Sequence, residues 1–269
     1  MRSPRPAPLL LGTAALACLG VAACVFGFRG EVELVGEASL AGLETVQLHL
    51  PATELSIRGE PARSTIRWAG SFITLGGSSE DALRGARSAD LVWDSWASIG
   101  RLWADLPVEI RDLTSLDDLE VESSAALAHE IIGAGKVSIT GIDGFVSVDL
   151  EGGDVTITGG LEQLRVRTER GSVDLHTAAA VDLYSGIGSV HVASEANGEI
   201  LIDASGSVLV ELAQFGNLDL DIADAGQILV LLDDVAHVGA GSYRRAIGPA
   251  TRELRIRAGG GPVEVRELE

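Results

Sequence analysis

Residues 135–160 read GKVSITGIDGFVSVDLEGGDVTITGG and state one pattern three times: a glycine, a spacer, then two branched apolar residues flanking a polar one. The pattern continues well beyond this stretch. Its first apolar residues are Val137, Val146, Val155, Leu164, Val173, Val181, Val190, Ile200, Val208, Leu218 and Ile228, at intervals of eight to ten residues. Within each unit apolar and polar residues alternate, as in Val137-Ser138-Ile139 and Val173-Asp174-Leu175, which is the period of a half-buried strand. The flanking glycines (Gly135, Gly144, Gly153, Gly171, Gly188, Gly198, Gly206, Gly216 and Gly226) suit corners, where the backbone turns tightly or passes close to itself. Each unit is therefore one strand and one corner, about nine residues in all.

An antiparallel meander would favour two-residue Asn-Gly or Asp-Gly turns at its hairpins. The near-constant spacing instead suits a coil in which identical corners stack and layers of Val and Ile fill a continuous interior. The sequence thus predicts an all-β fold, a single-chain parallel β-solenoid. Rungs of two units predict the outward rows Asp149, Arg167, Tyr184, Asp203, Asp221 and Ser138, Thr156, Asp174, His191, Leu209, Leu229. Three-unit rungs predict rows such as Ser138, Arg165, His191 and Asp219. The two-sided reading is preferred because it sets Asp149 beside Arg167 and Asp174 beside His191, favourable cross-strand neighbours.

Upstream, TVQLHLPATELSIRGE (Thr45 to Glu60), STIRW and LPVEIRD read as further strands, and Ser78 to Ala89 as a short helix with Ser caps and acids in its first turn. Downstream, ELRIRAGGGPVEVREL returns to the strand pattern after an irregular GSYRRAIGPAT, and is expected to form the far end of the coil. The organisation expected is residues 1–29 as signal or anchor and 30–269 as one β-solenoid domain. Within that domain, 30–134 hold the opening strands and cap with a helix near 79–88, 135–232 the regular repeats, and 233–269 the closing strands and cap.

Ala7 to Phe28 is 22 residues without a charge, after Arg2 and Arg5 and before Arg29. At about 1.5 Å per residue such a helix just crosses a bilayer. The basic flank favours a cytoplasmic N-terminus and sends residues 30–269 across the membrane. Both cysteines, Cys18 and Cys24, fall inside this segment, so the exported part cannot be held by disulfides. VAAC (Val21 to Cys24) resembles a bacterial lipobox and makes Cys24 a candidate lipid attachment site. An uncleaved helix, a lipoprotein and a cleaved signal all remain open. The first two leave a membrane-anchored, extracytoplasmic domain of the cell envelope.

Residues 30–269 carry 17 Lys and Arg against 39 Asp and Glu, a net charge of −22. Such a surface repels nucleic acid and anionic lipid and attracts basic partners, although it is also a general solubility device. The partners expected are the membrane through residues 7–28 and an envelope protein or cationic peptide, with no nucleic acid.

The marks LPVEIRD, GKVSITGIDGFVSVDLEGGDVTITGG, GSVDLHT, GSVHVAS and GSVLVEL together resemble the DUF4097 type of bacterial domain, a group of candidate adhesins with β-helix-like character. The resemblance covers roughly residues 43 to 269, and its motifs are architectural. It implies a β-solenoid in the cell envelope, often behind one membrane segment, with no catalytic residues to carry over. The chain departs from the pattern in a Trp-rich insertion and at AAAVDLYS, where the corner glycine is missing.

The five histidines show no H-E-x-x-H or paired Cys/His spacing, and His176 and His191 fall at outward strand positions. There is no G-x-S-x-G elbow, and the glycines recur at strand spacing instead of opening a helix as phosphate loops do. The acidic runs DLDIAD, LDDV and LDDLEVE lack calcium-loop spacing. No catalytic, cofactor or metal residues are assigned. LVWDSWASIGRLW gathers Trp93, Trp96 and Trp103; on a helix Trp96, Ile99 and Trp103 would share a face, as a cap over the coil or as a partner contact. The sequence therefore reads as a non-enzymatic, membrane-tethered surface for protein or peptide contact, an adhesin, sensor or scaffold. The alternative is a carbohydrate-active β-helix enzyme or glycan-binding module, which needs paired carboxylates in a cleft and aromatic platforms.

Overall fold

The computed structural model describes residues 27–268 apart from Leu161, Ala196, Asn197 and Asp234. Most of the apolar segment, including Cys24, lies outside the described residues, and Phe28, its last residue, opens the first strand. Among the described residues no helix is long and apolar enough to cross a membrane. The order begins β1 (Phe28–Ser39), β2 (Thr45–Glu60), β3 (Thr65–Gly76), α1 (Ser79–Ser88), β4 (Asp90–Trp96), β5 (Ile99–Asp105), β6 (Thr114–Ser124) and β7 (Ala128–Thr140). The short repeat strands are β8 (Val146–Leu150), β9 (Val155–Thr158), β10 (Gln163–Arg170), β11 (Val173–Thr177), β12 (Ala180–Ile187), β13 (Val190–Ser194), β14 (Ile200–Ala204) and β15 (Val208–Leu212). The chain closes with β16 (Leu218–Leu232), β17 (Val235–Ile247), β18 (Arg252–Arg257) and β19 (Pro262–Glu267).

The period-two pattern fixes which side of each strand is apolar, and pairing follows from it. All eleven leading residues, from Val137 to Ile228, are at most 2% exposed. A fully buried Val, Leu or Ile contributes roughly 1.5–3 kcal/mol, so slipping one strand by a residue would forfeit several such contributions. Repeat strands pair in parallel with the strand two units away. The first ladder runs through β8, β10, β12 and β14, the second through β9, β11, β13 and β15. The long β2 and β7 cross from one ladder to the other and join them into one 19-stranded sheet. Inward residues of both ladders form a single apolar cluster.

The corner on entry to the second ladder answers why the repeat demands glycine. Gly153, Gly171, Gly188 and Gly206 each stack on the previous corner glycine, and a Cβ at Gly171 would lie 2.0 Å from the carbonyl oxygen of Gly153. Gly135, Gly153, Gly171 and Gly188 also have φ between +103° and +149°, which side-chain-bearing residues rarely adopt. At AAAVDLYS a hydroxyl replaces the missing glycine. Thr177 Oγ1 accepts the Ala179 N–H at 2.9 Å and donates to the Gly160 carbonyl at 3.2 Å.

The structure corrects the sequence at both ends. The sheet is mixed: β1–β3, β3–β6, β4–β5 and β16–β17 are antiparallel. LPVEIRD is not a strand, because Pro107 starts a turn closed by Ile110 N–H to the Pro107 carbonyl (3.1 Å), and a 3-10 turn follows over Arg111–Leu113. Nor do the closing strands form the far end. β18 pairs between β14 and β16, and β19 between β15 and β16. β17 runs back along β16 and is the outermost strand. The predicted outward rows therefore break at their last members: Asp203 neighbours Arg257 instead of Asp221, and Leu209 neighbours Glu264 before Leu229. Register also shifts by two residues, since Leu220, not Leu218, shares a row with Leu254 and Ile200. Leu218 instead lies opposite Arg252, an arginine only 4% exposed that donates to the Gly198 and Gln214 carbonyls and to Ser194 Oγ.

α1 closes the β1 end. Ser78 caps it by accepting the Asp81 N–H, Glu80 and Asp81 lie in the first turn, and Ala82, Gly85 and Ala86 are its buried face.

Candidate functional site

On the outer face of the second ladder, consecutive strands bring polar side chains into contact across large sequence distances. Asp174 and His191 are register partners on β11 and β13, as the two-unit reading predicts. His191 Nδ1 lies 2.9 Å from Asp174 Oδ1 and its Nε2 2.8 Å from Glu211 Oε2. Carboxylate oxygens can only accept here, so both bonds form together when both ring nitrogens carry protons. Arg266 on β19 donates to the other oxygen of Glu211 at 2.7–2.8 Å. His191 first, and Arg266 further, hold the Glu211 carboxyl below the usual carboxylate range, while its burial opposes them. Of this linked set Asp174, His191, Glu211 and Arg266, only His191 lines a shallow cavity of about 380 Å³, together with Leu209, Leu229, Pro262 and Glu264. Sequence reasoning reaches the Asp174–His191 pair but misses Glu211 and Arg266. Their contact depends on β19 entering beside β15, 55 residues away.

Trp96, Ile99 and Trp103 share a side as the sequence suggests, but on a β-hairpin and not on a helix. β4 and β5 are a hairpin in which Trp93 pairs with Leu102, Val92 with Trp103 and Trp96 with Ile99. Alternation along the strands sets Trp93 on the core side and Trp96 and Trp103 on the other. Trp93 packs against the core and stacks on Trp68, with ring centroids 6.2 Å apart. Trp96 is 81% exposed beside the turn. The hairpin is pinned by Arg101, which donates to both Asp94 oxygens at 2.8 and 3.2 Å and holds that carboxyl below its ordinary range. The helical expectation fails because the turn at Ala97 (φ 54°) and Ser98 allows the two strands to pair.

Trp103 joins the outer row of the first ladder. That row runs Trp103, His49, Ile132, Asp149, Arg167, Tyr184, Asp203 and Arg257. Asp149 and Arg167 are register partners as predicted, and the Arg167 guanidinium sits 5.1 Å over the Tyr184 ring. Trp103, His49, Ile132 and Arg111 line a cavity of about 340 Å³. His176, the other outward histidine, bonds Glu195 at 2.8 Å. Among the described residues no group of three or more His, Cys, Asp or Glu side chains gathers as a metal-ligand set. Cys24 lies outside the described residues.

No family model and no curated protein matches the chain. Among solved structures the chain is similar to a candidate cell adhesion protein from Clostridium sporogenes at 15% identity, covering 88% of this chain and 100% of that one, with a TM-score of 0.34. It is similar to a candidate adhesin from Bacteroides fragilis at 13% identity, over 87% and 97% of the two chains, with a TM-score of 0.43. A candidate adhesin from Parabacteroides merdae is 8% identical over 87% and 95%, with a TM-score of 0.26. At these identities and TM-scores none of the three carries an argument about what this chain does.

Proposed function

We propose that the chain is a cell-envelope β-solenoid of two-sided rungs, tethered by residues 7–28, that presents acidic outer walls for contact with a protein or peptide and carries out no reaction. The observation that carries this reading is the linked set Asp174, His191, Glu211 and Arg266. Its titratable side chains bond to one another along a wall instead of converging on an enclosed cleft. The two-unit parallel pairing and the shared apolar interior support the solenoid. The excess of 39 acids over 20 bases supports a basic partner, and the uncharged run from Ala7 to Phe28 supports the tether. Residues 30–269 then act as one unit. A glycan-binding reading is favoured by one observation, the Trp103 side chain beside His49 and Ile132 at the smaller cavity.

The test is binding of the full-length chain, held in membrane vesicles, to a cationic peptide and to its scrambled version. The salt concentration is raised so that the screening length falls from about 10 Å at 0.1 M to about 3 Å at 1 M. Binding should fall steeply with salt. A chain that binds no cationic peptide at low salt, or binds a neutral oligosaccharide instead, would overturn the reading.

A further inference from the structure

The two ends of the stacked ladders are finished differently. At the β1 end, α1 roofs the interior so closely that a Cβ on Gly30 would lie 2.3 Å from the backbone of Ala82. At the other end the last layer is β17, which pairs only with β16 among the described strands. Its inward side chains Val235, Tyr243 and Ile247 pack on the core but are only half-buried, and His237 stacks on Tyr243 with centroids 4.0 Å apart. Outward, Val238 is 72% exposed and the neighbouring Leu231 46%. Exposed edge strands usually carry Lys, Pro or a covering element to prevent further pairing. β17 has neither residue across Val235–Ile247, its two charged side chains, Arg244 and Arg245, are confined to its end, and no described element lies beyond it.

The charges along this edge are ordered. Asp233 precedes β17, Arg244 and Arg245 stand near its end, and no acid lies within it. Arg244 is engaged by Asp219 of its own chain, whereas Asp233 and Arg245 are exposed. An antiparallel pair of β17 strands about a two-fold at Gly239 sets Val235 opposite the partner's Tyr243 and brings Asp233, in the turn that leads into β17, to the end of the partner's strand that carries Arg245, twice over. A parallel pair would set like against like. The first half of β17 flanks one ladder and its second half the other. The antiparallel arrangement therefore lets both ladders run on from one copy into the next.

From this geometry we infer that β17 is a self-association edge: two copies of this chain meet end to end through antiparallel β17 pairing. This deepens the protein-contact reading above by naming a second copy as a partner, and it does not depend on the basic partner proposed there.

The experiment is sedimentation equilibrium of the full-length chain in detergent, with each variant checked for an unchanged thermal transition. The parent should form a dimer that dissociates on dilution. Because the two-fold repeats each contact, Arg245→Asp should weaken the dimer about tenfold. Asp233→Arg should weaken it similarly, although it lowers the net negative charge of each copy and on generic repulsion alone would strengthen association. The doubly swapped chain should regain the parental affinity. A second measurement replaces Cys18 and Cys24 by Ser and cross-links single cysteines with a short bis-maleimide. Val238→Cys should give cross-linked dimer, and Val35→Cys at the opposite end none. A parent that stays monomeric, a dimer strengthened by Asp233→Arg, or cross-linking through position 35 in place of 238 would each overturn the inference. Cationic-peptide binding measured on the Arg245→Asp chain reads the earlier proposal separately, since that change leaves the walls intact.

Discussion

At the scale of single residues, the least expected side chain is His129. It stands in an otherwise apolar row with Val46 and Val146 and is completely buried. Its Nδ1 bonds the Leu127 carbonyl at 2.9 Å; a carbonyl can only accept, so Nδ1 carries the proton, and the buried Nε2 has no partner. Burial drives its pKa from 6.5 down to about 4, against the weaker effect of the Leu127 bond. The unfolded chain therefore takes up a proton near pH 6.5 that the folded chain refuses until about pH 4. Stability from this group is complete above pH 6.5, and roughly 3 kcal/mol is lost as pH falls to about 4. His129→Leu should flatten that part of the profile. Urea midpoints for parent and variant at pH 7 and pH 4 measure the difference; equal losses on acidification in both chains would show that His129 plays no part.

At the scale of the element, the corner decides more than the strand. Gly171→Ala forces a Cβ against the Gly153 carbonyl at a φ of +135°, and it should destabilise the chain by about 3 kcal/mol or more. Gly216 also marks a unit boundary, but nothing lies within 4 Å of a Cβ there and its φ is not positive. Gly216→Ala should be neutral, or stabilising by about 0.5 kcal/mol through the unfolded chain. Thermal unfolding of the pair tests this; similar losses would mean that the glycine column is not what holds the repeat. The contrast also shows what was legible beforehand. Strand existence, the inward set from Val137 to Ile228, and the Asp174–His191 and Asp149–Arg167 neighbours follow from local period and spacing. The hairpin that separates Trp93 from Trp96 depends on pairing between two short strands, which neither strand encodes alone. The burial of Arg252 and the Glu211–Arg266 contact depend on which distant strand enters a layer, and periodicity is silent on that.

At the scale of the whole molecule, the order of layers differs from the order of the chain. β16 and β17 are built outermost, and β18 and β19 return to occupy the layer between them and β14 and β15. A chain ending at residue 250 should therefore lose more than its last strands. Limited proteolysis should cut it within 213–250 while residues 45–212 stay protected; equal protection of 218–247 would mean that β16 can seat directly on β14 and β15. During synthesis the N-terminal layers emerge first and can close as they arrive, but β16 and β17 must wait for residues 252–267 before their layer is complete. The β18–β19 segment is thus a keystone inserted behind an arm already laid down. Whatever follows β19 hangs from an inner course of the structure, and a tether that delayed residues 252–267 would hold the whole far end open.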